Sequence, residues 1–272
     1  MQNLLNIPMR FLLLFLAAGL TLNTSAQRPQ VPILCYHNIK DVTGKASPDY
    51  TISPAAFRAQ IKMLHDSGYH AILPDQLYDY LTKGTPLPPK PIMITFDDSH
   101  QEHYTLAAPE LEKYGYRGVF FIMTIPLNKP HYLTNAMVKG LSDKGHVVAI
   151  HTWDHQNVHK LHAGNPIIAK LINTKKITDP NAQVAAVWNL ELTRPKAKLE
   201  ELTGKPIVYF AYPFGSWDYA AVEELKKGGV KAAFQLADKI GDKAPLYTIR
   251  RILTEGNWSP ARLAQMIHQA FK

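Results

Sequence analysis

Two adjacent carboxylates, Asp97 and Asp98, follow the apolar run at residues 91–96. Side chains alternate sides along a strand, so two neighbours there cannot both face one core. One interpretation is that Asp98, followed by Ser99, caps the next helix. The other is that the two carboxylates lie in different surroundings and have different chemical roles. The pair alone does not decide between them.

Two histidines, His151 and His155, follow a second apolar run in "HVVAIHTWDH". Their spacing of four predicts that both imidazoles lie on one side of a helical turn, a common geometry for a divalent metal. Two neutral imidazoles and one carboxylate would leave positions open for water and substrate, as in catalytic zinc sites. Because the chain has 12 histidines, and His159 and His162 follow closely, a histidine-rich surface helix is the alternative.

Short apolar runs alternate with amphipathic stretches along most of the chain. The strand-like runs are residues 31–37, 70–73, 91–96, 118–123, 146–151, 206–212, 231–236 and 246–252. Helices are predicted to begin at the N-caps Ser53 and Thr134, and Pro195 should kink or break a later helix. This order predicts an α/β fold of the barrel type, with an open doubly wound sheet as the alternative. In a barrel the carboxyl ends of the strands would gather the aspartates and histidines.

The first residues predict export. Arg10 precedes the apolar run "FLLLFLAAGLTL", and small residues end at Ala26. We interpret residues 1–26 as a signal peptide, with an uncleaved anchor as the alternative. Residues 27–272 are then one domain of a secreted or periplasmic protein, and no second apolar run approaches membrane-spanning length.

The composition and charge say little about which molecules the protein binds. The net charge is +8, but the lysines are scattered, and we find no nucleic-acid module, dinucleotide motif or P-loop. Cys35 is the only cysteine, so no internal disulfide can form. Its flanks, "PILCYH", predict a buried strand and therefore a core residue.

The motifs "TFDD", "HTWDH" and "FAYPFG", in this order, resemble the polysaccharide deacetylase family, the NodB-homology group of carbohydrate esterases. The segments "ILCYHNI", "LEELTGKPIVYFAYPFG" and "LYTIRRI" are also similar to the family pattern. The resemblance extends from about Ile33 to about Ile252, and "FAYPFG" places the chain in a branch with the pattern "FAYPxG".

The resemblance implies a distorted (β/α) barrel of about seven strands that removes acetyl groups from N- or O-acetylated sugars. Asp98, His151 and His155 match the metal ligands of the family; zinc is the expected ion, with Co²⁺, Ni²⁺ or Mn²⁺ as alternatives. Asp97 matches the general base that activates water, and Phe214 matches the residue whose backbone N–H stabilises the oxyanion. The expected partner is an acetylated glycan.

The chain departs from the family pattern at two of these motifs. Ser99 stands where the family usually has glycine, whose conformational freedom a turn would need. Ala211 stands where many members have an arginine that pairs with the base. Arg250 or Arg251, at the end of the last strand, is our candidate to supply that positive charge.

The catalytic acid has no counterpart, because the late Leu-x-His motif of many members is missing. His268 lies in a helix whose pattern favours packing, and no family motif supports His100 or His103. One interpretation is that a second acid is absent and that water or the metal-bound group protonates the leaving amine. For His37, in "CYHNI", a pocket wall and a core position are equally compatible with the sequence.

Trp153, Trp217 and Trp258 are candidates for stacking on sugar rings, with Trp217 the first choice and core packing the alternative. The leading function is a metal-dependent deacetylase of an N-acetylated extracytoplasmic polysaccharide. The alternatives are a glycan-binding protein that has lost catalysis and a metal-dependent amidohydrolase of a small cyclic amide.

Overall fold

A computed structural model describes residues 31–41, 50–172, 177–236, 241, 243–254, 256 and 258–270. The predicted signal peptide, residues 1–26, lies outside the described residues. The strands are β1 (Ile33–Tyr36), β2 (Asn38–Ile39), β3 (Thr51–Ile52), β4 (His70–Ala71), β5 (Pro91–Phe96), β6 (Val119–Ile122), β7 (Val147–Ile150), β8 (Tyr209–Ala211), β9 (Ala232–Gln235), β10 (Ile249–Arg250) and β11 (Ile252–Leu253). The α-helices are α1 (Pro54–Asp66), α2 (Pro74–Lys83), α3 (Ala108–Glu112), α4 (Asn135–Asp143), α5 (Pro166–Ile172), α6 (Pro180–Trp188), α7 (Arg194–Thr203), α8 (Tyr219–Lys227) and α9 (Pro260–Gln269).

The main sheet is a nearly closed barrel of parallel strands. Its order is β10-β9-β8-β7-β6-β5-β1-β11, and β4 pairs with β5 outside this path. The predicted distorted (β/α) barrel is therefore confirmed, with eight strands in the path rather than about seven. The open doubly wound sheet is wrong. None of the described helices is long and apolar enough to cross a membrane.

The last strand segment closes the barrel. The sequence predicted one strand over residues 246–252, but the segment divides at Arg251 into β10, which pairs with β9, and β11, which pairs with β1. The Arg251 N–H donates to Gln235 O at 3.0 Å, and the Thr254 N–H donates to Cys35 O at 3.0 Å. One short segment thus bonds to both edges of the sheet and places Arg251 between them.

Two hydrophobic cores lie on the two faces of the sheet. The outer core joins strand residues such as Ile94 to helix residues such as Leu111 and Val138. The inner core contains alternate strand residues, among them Ile33, Met93, Val119, Phe121, Ala149, Ala211 and Phe234. Met93 of β5 faces the inner core, and side chains alternate along a strand, so Thr95 and then Asp97 face the same side. A carboxylate therefore lies at the end of the barrel interior.

The helices begin where the sequence predicted. The Ser53 hydroxyl accepts the Ala56 N–H at 3.2 Å, and the Thr134 hydroxyl accepts the Met137 N–H at 3.2 Å. Each cap satisfies a backbone donor that the first turn of a helix leaves free, and such a cap stabilises by about 1 kcal/mol.

Pro195 coincides with a change of helical geometry. The helices α6 and α7 are joined by a π-helical segment, Asn189–Thr193, directly before this proline. Proline has no N–H to donate to the carbonyl four residues earlier, which here belongs to Glu191, and its ring clashes with that carbonyl in a regular helix. The wider turn accommodates the ring, so the predicted break takes the form of a π-bulge.

Candidate active site

The predicted site residues meet at the carboxyl end of the barrel. In β1 and β5, Tyr36 lies opposite Phe96, and the chain continues from Phe96 directly into Asp97 and Asp98. His151 follows the last residue of β7 in the same way. Neighbouring parallel strands end at the same edge, so residues far apart in sequence become neighbours there.

Asp97 lies buried inside the barrel, 1% exposed. Its two carboxylate oxygens accept separate hydrogen bonds from the Arg251 guanidinium, each of 2.7 Å. The Cys35 thiol donates to the same carboxylate at 3.5 Å. Burial would raise the pKa of Asp97, but the charges of Arg251 and His151 outweigh it and lower the pKa to about 2. Asp97 is therefore ionised at neutral pH.

Asp98 turns away from its neighbour and toward the two histidines. Its φ is 77°, in the left-handed region, which ends the alternation of the strand. Its Oδ1 lies 3.4 Å from His151 Nε2 and 3.4 Å from His155 Nε2. The three atoms that could bind a metal all lie within 4.8 Å of one another. The structure therefore brings the three predicted ligands together.

The surroundings of these residues fit a divalent metal. Asp98 Oδ1 is buried and has no hydrogen-bond partner within the described part of the chain. The carbonyl of Ala211 lies 2.8 Å from His151 Nδ1 and is an acceptor only, so this nitrogen carries the proton and Nε2 presents a lone pair. In a tetrahedral zinc site with bonds of about 2.0–2.1 Å, ligand atoms lie about 3.3–3.4 Å apart. The distances from Asp98 Oδ1 to His151 Nε2 and to His155 Nε2, both 3.4 Å, match that value.

The pKa values of the two imidazoles are shifted in opposite directions when no metal is bound. Burial and the charge of His151 lower the pKa of His155 to about 4, so this ring is neutral at pH 7. Burial also acts to lower the pKa of His151, but Asp97 and Asp98 reverse the effect, and the pKa is raised. Metal binding needs His151 Nε2 without a proton, so the raised pKa makes protonation compete with metal binding at this ring.

The segment between the histidines is a turn and not the helical turn that the spacing predicted. Residues 152–154 form a hydrogen-bonded turn, and both Thr152 and His155 have positive φ, 65° and 53°. The two histidines are neighbours, as the spacing of four predicted, but the prediction of a helical turn between them is wrong. Positive φ is uncommon for residues other than glycine, particularly for a β-branched threonine. The surrounding structure must hold this backbone in place.

Phe214 lies at the end of β8, on the same edge of the barrel. Its φ is 60°, and its side chain is 66% exposed with its ring 4.5 Å from that of His155. The next residue, Gly215, also has positive φ, and a Cβ there would lie 2.4 Å from the Cβ of Leu236. Glycine is therefore required for the turn to pack. The oxyanion role of the Phe214 N–H stays a prediction.

Comparison with known proteins agrees with this architecture. The sequence profile of the family described as polysaccharide deacetylase matches residues 84–233, more than half of the chain. The chain belongs to the polysaccharide deacetylase family. The branch defined by "FAYPxG" stays a prediction.

Three similar proteins illustrate the relationship to the deacetylase family. YxkH of Bacillus subtilis (strain 168), whose name assigns it to the polysaccharide deacetylases, is 26% identical over 76% of this chain and 63% of its own length. Poly-beta-1,6-N-acetyl-D-glucosamine N-deacetylase of Escherichia coli (strain K12) is 24% identical over 86% of this chain and 38% of its own length. The chain thus spans less than two thirds of either relative. The deacetylase PplD of Streptococcus pyogenes, solved in complex with acetate, has the same fold, with a TM-score of 0.72, 22% identity and coverage of 88% and 99% of the two chains.

Ser99 has a structural role in place of the glycine that the deacetylase family usually has. Its φ is 63°, so the conformation that favours glycine is retained. The Ser99 hydroxyl donates to Met123 O at 3.0 Å and accepts the Met123 N–H at 2.8 Å. These two buried hydrogen bonds tie the turn after Asp98 to the end of β6 and offset the cost of the backbone.

Arg251 replaces the missing arginine of the family motif. Ala211 belongs to the inner core and is too small to reach Asp97. The fully buried Arg251 guanidinium reaches Asp97 from the closing segment and stacks 5.2 Å above the ring of Phe121. Of the two arginines named from the sequence, Arg251 forms the pair with Asp97.

His37, for which the sequence left a pocket wall and a core position open, lies at the same end of the barrel as the aspartates. It directly follows β1, and burial lowers its pKa against the charges of Asp97 and Asp98, which raise it. Its Nδ1 is buried and without a hydrogen-bond partner in the described residues, and its ring lies 5.1 Å from the half-exposed Tyr50. Its place two residues after Cys35, at a strand end, was the signal that could have identified it.

The remaining candidates have other positions. His268 is exposed on α9, and Trp258 is buried in the outer core. His103 is buried, and its Nε2 donates to His37 O at 2.7 Å. His100 stacks on the ring of Tyr132, with its Nε2 4.0 Å from Asp98 Oδ2. Trp153 and Trp217 are half-buried, whereas the exposed aromatic rings at the site are Tyr50 and Phe214.

Proposed function

We propose that the chain is a metal-dependent deacetylase that hydrolyses N-acetyl groups of an extracytoplasmic polysaccharide. The observation that carries this proposal is the division between two adjacent carboxylates. Asp97 is held by Arg251, whereas Asp98 faces His151 and His155. Poly-N-acetylglucosamine is the first substrate to test, because a relative is named for it. The location rests on the signal peptide predicted for residues 1–26.

Asp98, His151 and His155 would hold the metal. Two imidazole nitrogens and one carboxylate oxygen are a common donor set for zinc, and Co²⁺, Ni²⁺ and Mn²⁺ are alternatives. When bound, the metal supplies Lewis-acid polarisation of the acetyl carbonyl and of water. The hydrogen bond between His151 Nδ1 and Ala211 O orients the ring for this role.

Asp97 is the proposed general base. Its Oδ2 lies 3.8 Å from His151 Nε2, so it is adjacent to the three ligands without being one of them. Its low pKa keeps it ionised, and the two hydrogen bonds from Arg251 hold the carboxylate in one orientation. It accepts the proton of the attacking water, and its position rather than its basicity supports the assignment.

His37 is proposed to relay a proton to the leaving amine: it takes up the proton that Asp97 removes from water and then donates it. It lies beside Asp97 and Asp98 at the end of the neighbouring strand, and its Nδ1 has no partner among the described residues. A ring nitrogen without a competing hydrogen bond is available to the substrate. The Phe214 N–H would stabilise the negative charge on the acetyl oxygen.

The alternative of a glycan-binding protein without catalysis was based on three departures from the family pattern. For each departure, another contact or residue can take over the missing role. Ser99 bonds to Met123, Arg251 pairs with Asp97 where Ala211 provides no arginine, and His37 is the residue proposed to protonate the leaving amine. These contacts favour catalysis. The exposed rings of Tyr50 and Phe214 could stack on a sugar ring. This favours a glycan over a small cyclic amide as the substrate.

Acetate release tests this proposal. The mature chain, loaded with zinc, is incubated with poly-N-acetylglucosamine, peptidoglycan, chitin oligomers and an O-acetylated xylan. We expect release from poly-N-acetylglucosamine and loss of release in Asp97→Asn. If no glycan yields acetate above the Asp97→Asn control, with zinc or cobalt, the proposal is wrong.

A further inference from the structure

We propose that Glu191 is a positioning residue that holds the segment between His151 and His155 in its metal-binding conformation. The proposal rests on the proposed function only in naming these histidines as ligands. Glu191 lies in the π-helical segment between α6 and α7, 36 residues beyond His155 in the chain. None of the sequence motifs includes it.

Glu191 binds the backbone of the ligand segment directly. Its Oε2 accepts the Trp153 N–H at 3.1 Å and the Asp154 N–H at 3.3 Å. Its side chain is fully buried. A carboxylate that accepts two successive backbone donors fixes the orientation of both peptide planes, and hydrogen bonds to a charged acceptor are among the stronger ones.

The ligand segment needs such support. Thr152 and His155, on either side of the two bonded amides, have φ values of 65° and 53°. A residue other than glycine in this region is held there by its surroundings. The Ile125 N–H also bonds to Trp153 O at 2.9 Å, so the turn is held from two sides. Without Glu191 the Trp153 and Asp154 N–H groups lose this acceptor, and His155 can move relative to His151.

Pro195 accounts for the position of Glu191. The proline follows Glu191 by four residues, and the π-bulge that accommodates its ring contains Glu191. Bulges of this kind are frequent at functional sites. The helix thus departs from regular geometry at the residue that reaches the ligand segment.

The burial of a carboxylate here is costly, which argues for a role. Burial raises the pKa of Glu191 to about 7. The charge of Asp154 also raises this pKa, whereas the hydrogen bonds from the two backbone N–H groups lower it. An apolar side chain of similar size would avoid the cost of burial. The hydrogen bonds to Trp153 and Asp154 are what such a replacement would lose.

Three variants test the proposal in full-length mature protein. Glu191→Met keeps the volume but has no acceptor, and Glu191→Gln keeps one acceptor oxygen. Glu200→Gln is the matched control, because Glu200 also accepts a backbone N–H, that of Ile207, but does not contact the ligand segment. The readouts are the dissociation constant of Zn²⁺, measured by competition with a chelator, and the visible absorption spectrum of the Co²⁺-loaded protein.

We expect Glu191→Met to bind Zn²⁺ about 10–100-fold more weakly and to change the Co²⁺ spectrum, because partners that orient ligands typically have this effect. Glu191→Gln should remain within about threefold of the wild type, since one oxygen can accept both amides, and Glu200→Gln should be unchanged. A folded Glu191→Met with wild-type Zn²⁺ affinity and spectrum overturns the proposal. Should this variant not fold, a tenfold or greater loss of affinity in Glu191→Gln overturns it. If the wild type itself binds no metal, the proposed function fails instead.

Discussion

Arg251 and Asp97 meet through two hydrogen bonds of 2.7 Å inside the barrel, although 154 residues separate them in the chain. Arg251 is also the residue at which the last strand segment passes from β9 to β1. One side chain therefore neutralises the buried carboxylate at the point where its own backbone closes the sheet. The residue that closes the sheet is therefore also the residue that holds the proposed base in place.

Removing Arg251 should destabilise the fold as well as the site. In Arg251→Met, Asp97 remains buried without a counter-charge, and breaking a buried pair in this way costs about 3–5 kcal/mol. Urea unfolding of metal-free protein measures the loss. The double variant with Asp97→Asn should recover most of it, because the uncompensated charge is gone. A loss below about 1 kcal/mol in the single variant would contradict the pairing.

We expect the wild type, with Ser99, to be more stable to unfolding than either the alanine or the glycine variant at this position. Ser99→Ala loses both hydrogen bonds to Met123 and retains the unfavourable φ, so we expect a loss of about 1–3 kcal/mol. Ser99→Gly loses the same bonds but relieves the backbone, which is worth about 1–2 kcal/mol. Thermal or urea unfolding should therefore rank the proteins as Ser, Gly, Ala. An alanine variant as stable as the wild type would show that the hydroxyl contributes nothing.

Local patterns predicted the strands and the proposed ligands. Each strand-like run in the sequence contains a strand, or two in the case of the last run. The aspartate pair and the two histidines were singled out because they follow such runs, and the resemblance to the family named Asp98, His151 and His155 as the ligands. The reason given for the spacing of the histidines was wrong, since the segment is a turn with positive φ at Thr152. A spacing of four does not distinguish a helix from a turn of this kind.

Contacts between distant segments could not be predicted in the same way. Arg251 was named only as one of two arginines, because the sequence does not show that the last run divides and turns its side chain inward. Glu191 was missed entirely. It lies in the π-helical segment Asn189–Thr193, where the regular helical period does not apply.

Glu191 should make stability depend on pH. Its pKa is raised from 4.5 to about 7 in the folded protein, so it contributes stability below about pH 4.5 that is lost as pH rises through about 7. This shift corresponds to about 3 kcal/mol. Glu191→Gln lacks this titration. We expect the free energy of unfolding of the wild type, relative to that variant, to fall by about 3 kcal/mol between about pH 4.5 and pH 8.

Urea unfolding of both metal-free proteins across this pH range checks the result. The histidines titrate in both proteins, so their contribution cancels in the difference. Parallel stability curves for the wild type and Glu191→Gln would mean that Glu191 is not buried as an acid.

His37 should be needed for turnover but not for metal binding. In His37→Gln, we expect the rate of acetate release to fall by about 10²–10⁴-fold, the usual contribution of a general acid. Zinc content should be unchanged, because the three ligands proposed for the metal are Asp98, His151 and His155. The exposed His268 on α9 provides the control, and His268→Gln should match the wild type in both respects. An unchanged rate in His37→Gln would remove this residue from the mechanism.

The most direct test of the account is the zinc content of Asp97→Asn and Asp98→Asn, measured on the same purified samples as their acetate release. Asp97→Asn should retain about one zinc ion per chain while its rate falls by about 10²–10⁴-fold, because it loses only the proposed base. Asp98→Asn should lose most of its zinc together with its activity. Equal zinc content in the two variants would contradict the division of roles between these adjacent carboxylates.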